Sequence, residues 1–66
     1  MTIAQAFQIR ATYDRWITLV ASRSAERAEV WDLMYSAMGE AGISQPSAAV
    51  ARGISLAVEA FTGGMP

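Results

Sequence analysis

The chain has 66 residues, a net charge of −1 and neither cysteine nor histidine, and all of its cations are arginines. That composition excludes disulfides, thiolate and imidazole metal ligands, and catalysis by a histidine or lysine base. A chain of this length buries only about 60% of the surface its unfolded form exposes, so a second copy or a larger partner is the reinforcement to expect.

The charges are scattered. Arg10, Arg15, Arg23, Arg27 and Arg52 are answered by Asp14, Glu26, Glu29, Asp32, Glu40 and Glu59, without the clustered basic face of a nucleic-acid-binding domain. Nucleic acid is therefore not expected as a partner. The chain's start is interrupted by Gln5, Gln8, Arg10 and Asp14, which does not fit a secretory signal. A membrane span needs about 20 mostly apolar residues. The best candidate, residues 48–61, is shorter and carries Arg52 and Glu59. A cytoplasmic location without membrane contact is the expectation. A surface-lying helix over residues 3–20 would want a lysine- and arginine-rich polar face, which is lacking.

Between Thr2 and Met38 there is no glycine, proline or asparagine, and helix-favouring residues dominate. Apolar positions recur at helical spacing and never alternate with period two over any length, so the fold class is all-α. The opening third is the most apolar stretch. Phe7, Tyr13, Trp16, Ile17 and Val20 are candidates for a protein interface, aromatic residues being enriched at interface hot spots.

Residues 21–29 contain no large apolar side chain. They form either the turn of a hairpin, with helices over 2–21 and 25–38, or the solvated waist of one long helix over 2–38. The continuous helix is preferred, because no Gly or Asn is present to close a helix there. A stripe through Ala21, Ser24, Ala28, Trp31, Tyr35 and Met38 also keeps its phase across the polar segment. Ala21, Ala28, Trp31, Met34, Tyr35 and Met38 are then expected to pack against other helices.

Gly39 and Gly42 mark a turn over 39–44. Ser44 is the expected N-cap of a last helix over 45–61, with Pro46 in its first turn, and a frayed tail follows over 62–66. On this helix Ala49, Gly53 and Ala57 form a small-residue stripe beside Phe61, and close approach of another helix is expected there. The last helix is too short to cover all of a long first one. It should pack back over Val30, Met34 and Met38 and leave Phe7, Tyr13, Trp16 and Ile17 bare. The architecture is thus a helical hairpin or three-helix arrangement that is oligomeric or bound to a partner.

The string Ala41-Gly42-Ile43-Ser44-Gln45-Pro46-Ser47 resembles the turn and recognition-helix start of helix-turn-helix regulators. That resemblance implies a DNA-binding role for residues 42–52, with Gln45, Ser47 and Arg52 as the side chains that could reach bases. The sequence departs from the pattern directly afterwards, where Ala48-Ala49-Val50-Ala51 stands in place of polar and basic residues.

No constellation for chemistry is apparent. A serine or threonine nucleophile needs an adjacent base, and carboxylates are the only side chains left to serve. No cofactor or metal is expected. The reading that follows is a non-enzymatic assembly subunit that associates with itself or docks into a larger complex.

Overall fold

A computed structural model describes residues 1–63 of the chain, and within them the fold is all-helical. Helix α1 runs Ile3–Ser22, α2 Arg27–Glu40 and α3 Ala48–Gly63. The expected tail falls partly on described residues, where Thr62 and Gly63 are helical; residues 64–66 lie outside them.

Helix α1 begins with a reciprocal cap. The Thr2 hydroxyl accepts from the Gln5 backbone N–H at 3.1 Å, and the Gln5 side chain accepts from the Thr2 N–H at 2.8 Å. Two of the amides that a helix start leaves without partners are satisfied in this way.

The single long helix does not form. A continuous helix over 2–38 would span roughly 55 Å, whereas the longest dimension of the molecule is 36 Å. The chain stops at Arg23, which adopts the left-handed conformation at φ 59°, ψ 30°. Its N–H donates to the Val20 carbonyl, and that of Ser24 to the Leu19 carbonyl, the paired bonds that close a helix through a left-handed residue. The Ser24 hydroxyl then accepts from the Glu26 N–H at 3.2 Å and turns the chain into α2. A glycine would make this turn without steric cost, which is why its absence pointed toward continuity. The chain instead tolerates an arginine there.

Helix α2 ends by the same device with the residue that suits it. Gly42 has φ +87°, its N–H donates to the Gly39 carbonyl, and the Ile43 N–H reaches back to the Met38 carbonyl at 3.1 Å. Ile43 packs on the cluster that contains Met38, the apolar contact that accompanies such a stop. Gly39 lies inside α2 and enters the stop through its carbonyl, which accepts from Gly42.

Helix α3 starts at Ala48, three residues later than the sequence suggested, and Ser47 is its cap: the Ser47 hydroxyl accepts from the Val50 N–H at 3.1 Å. A helix capped by Ser44 would place Gln45 in helical conformation directly before Pro46, which the proline ring disfavours. With Ser47 as cap, Pro46 stands outside the helix.

Both later helices pack along α1, and α2 and α3 meet through core side chains with few close backbone approaches. Helices α1 and α2 are antiparallel. Gln5 donates to the Glu40 carbonyl at one end, and Arg15 pairs with Glu26 at 3.0 Å near the other. The core is Ile9 from α1, Met34, Ala37 and Met38 from α2, and Ala51 from α3. Ile9, Met34 and Met38 are its largest fully buried side chains.

Helix α3 meets Met34 and Met38 of α2 at the core through Ala51, and it also lies along α1. It lies on the N-terminal half of α1, where Arg10 also donates to the Thr62 hydroxyl at 3.5 Å. Its inward side is Ala51, Ser55 and Val58, and the Ser55 hydroxyl donates to the Ala51 carbonyl at 2.8 Å. Small side chains face the bundle because they let α3 come close at the point where α1 and α2 already fill the space.

The two helix stops give opposite predictions. Arg23→Gly relieves a left-handed residue that costs a side chain about 1 kcal/mol, so the melting temperature should rise by roughly 4–8 °C. Gly42→Ala should lower it by a similar amount. Thermal melts followed by circular dichroism measure both.

Candidate functional site

Two surface features gather the residues that the sequence singles out. The first is a run of aromatic rings across the α1–α2 seam. Tyr13 meets Trp16 at 6.3 Å between centroids, Trp16 meets Trp31 at 5.1 Å, and Trp31 meets Tyr35 at 6.5 Å, all tilted. Such pairs contribute about 0.5–1.5 kcal/mol beyond the area they bury. Beside the two indoles lies an open groove of about 480 Å³, lined by Trp16, Val20, Ala28 and Trp31 with Arg27 and Asp32 at its rim and Ala48 at one end.

The second feature is a smaller cleft of about 210 Å³ between the start of α1 and the end of α3. Its walls are apolar throughout, with Met1, Ile3 and Phe7 on one side and Ile54, Val58 and Phe61 on the other. Ile3 is 63% exposed, Phe7 41% and Phe61 62%.

The five residues expected to form one interface face divide between these features. Tyr13 and Trp16 are half-buried against the core. Val20 is half-buried beside the aromatic groove. Phe7 turns to the apolar cleft, and Ile17 stands exposed between the two. The division follows from α1 having a neighbour on two sides: one face meets α2, and another meets α3.

Among the residues expected to pack between helices, Met34 and Met38 are fully buried and Trp31 is half-buried. Tyr35, Ala21 and Ala28 are exposed. On α3, Ala49, Gly53 and Ala57 face outward, as does Phe61. A Cβ built on Gly53 would meet nothing within 4 Å, so the close approach expected there is not made within the chain. Ile9 and Ala51 hold the centre of the core. Ile9 was readable as part of the helical apolar repeat, whereas a buried alanine has no sequence signal of its own. The pairing of Gln5 with Thr2 was legible as a Thr-x-x-Gln capping box.

The residues implied for DNA reading are dispersed in role. Gln45 lies exposed in the connection before α3, the Ser47 hydroxyl is engaged in the cap, and Arg52 projects from α3 into solvent. A helix-turn-helix joins its packed helices by roughly three or four residues. Here residues 41–47 intervene, a longer connection than that.

Polar groups are mostly committed to local structure. The hydroxyls of Thr12, Thr18, Ser22 and Thr62 donate to backbone carbonyls in the preceding turn. Among the described residues no three acidic side chains converge as a metal cage, and no helix is long and apolar enough to cross a membrane. No protein-family model, curated protein or solved structure matches the chain.

Trp16→Ala should cost about 2 kcal/mol, less than a fully buried tryptophan because Trp16 is half-buried, and should erase the near-ultraviolet circular dichroism of the coupled rings. Arg15→Ala removes only an exposed ion pair and should cost under about 1 kcal/mol. Gly53→Ala replaces glycine in an open helical position and should stabilise by about 0.5–1 kcal/mol. Urea titrations of the three variants test the order.

Proposed function

We propose that the chain is a non-enzymatic helical subunit that assembles with itself or into a larger protein complex through apolar side chains left uncovered by its own fold. The observation that carries this reading is the apolar cleft between α1 and α3, where Ile3, Phe7 and Phe61 stand open to solvent. Apolar residues of that size grouped at one site mark an interaction surface. The fold has small residues available to face outward on α3, yet it turns Ala51 and Ser55 in and Phe61 out. Leu33 and Leu56 are also more than half exposed.

Two further points support the reading. The core is built from few side chains, so burial of these groups against a partner adds stability that the isolated chain lacks. The chain carries no histidine, lysine or cysteine, and many of its hydroxyls are engaged as caps or in bonds to their own helix.

Sedimentation equilibrium from low to high micromolar concentration tests the proposal. The expected result is a species heavier than the 7.1 kDa chain. Phe61→Ser removes about 1.5–3 kcal/mol of apolar burial and should weaken assembly at least about tenfold. Its helicity should be unchanged, because Phe61 is largely outside the fold. A 7.1 kDa particle, both when purified and in extract of the source cells, would overturn the reading.

A further inference from the structure

We propose that the aromatic groove is a self-pairing surface: a second copy lays its α2 parallel to α2 about a two-fold axis, and Arg27 of each copy meets the partner's Asp32. The inference rests on the assembly reading above and names both the partner and the surface.

The argument starts from the charges. Arg27 and Asp32 are exposed and line the groove, and among the described residues neither belongs to an ion pair, where the pairs are Arg10 with Asp14 and Arg15 with Glu26. At 100° per residue they fall on opposite flanks of the line through Ala28, Trp31 and Tyr35, about 70° to either side. The groove thus has an apolar centre with one cation on one flank and one anion on the other.

Such a surface is its own complement under one symmetry. A two-fold axis parallel to the helix carries each flank onto the opposite one, so both charges find partners at once, as an isologous contact requires. The five-residue offset amounts to about 7.5 Å along the axis, the spacing at which flanking residues pair across parallel two-stranded helices. An antiparallel pairing would keep each flank on its own side, so Arg27 would not face the partner's Asp32. Shape agrees with the parallel arrangement. Ala28 leaves room at the centre of the groove, Trp31 and Trp16 offer indole surface beside it, and Tyr35, 49% exposed, continues the seam.

Charge exchange tests the pairing. Arg27→Glu and Asp32→Arg should each weaken association at least about tenfold, because each sets like charges together twice per dimer. The double variant should recover the original affinity. An equimolar mixture of the two single variants should associate better than either alone, since every contact in the mixed dimer then pairs opposite charges. Far-ultraviolet circular dichroism confirms that each variant keeps its helices. Oligomers that ignore the single reversals, or a double variant that fails to recover, would overturn the pairing and leave the assembly reading standing. A wild-type chain that stays at 7.1 kDa throughout would overturn the pairing together with self-assembly.

Discussion

The position of Ile9 governs the rest of the molecule. It is fully buried, and it sits where Met34 and Met38 of α2 and Ala51 of α3 come together. Among the described residues α1 is the element that both later helices pack along, and Ile9, in its first half, is where they converge. The methionines suit that arrangement, because an unbranched thioether side chain fills an irregular junction without a fixed shape of its own. Ala37 and Ala51 provide the small surfaces that let three helix backbones approach one point. The same arrangement explains why so much apolar surface is left over. A helix shared between two partners cannot be fully covered by either of them.

Much of the fold class was readable from the residues. The unbroken run of helix formers and the glycine stop at Gly42 act through local chemistry, and local chemistry is what a sequence displays. The break at Arg23 was not readable in that way. Nothing in an arginine announces a left-handed backbone, and the reason for the turn lies in the burial that α2 gains by folding back on Ile9 and Trp16. The start of α3 was misplaced for a subtler reason: Ser44 and Ser47 are both competent caps, and the choice is made by the restriction that Pro46 places on Gln45.

The candidate surface was legible in its composition and not in its geometry. Phe7, Tyr13, Trp16, Ile17 and Val20 read as one face because they crowd one third of the chain. The structure distributes them, since Phe7 and Trp16 stand nine residues apart and fall on opposite faces of α1, one toward the cleft and one toward the aromatic seam. On α3 apolar residues occupy most of the circumference, so hydrophobicity cannot say which side turns inward. Close packing makes that choice, and it selects Ala51 and Ser55 over Phe61. A similar inversion applies to Gly53, whose lack of a side chain suggests contact while the chain leaves it facing open space.

Helices α2 and α3 both lie along α1 and meet each other through core side chains such as Met38 and Ala51. The antiparallel pair of α1 and α2 is joined by a short turn and closed at both ends by polar contacts, so its interactions are local and form early in folding. Helix α3 follows through the longer connection of residues 41–47 and packs on α1 as extensively as α2 does. It carries half of the cleft, so any partner seated there fastens α3 to α1 as it binds.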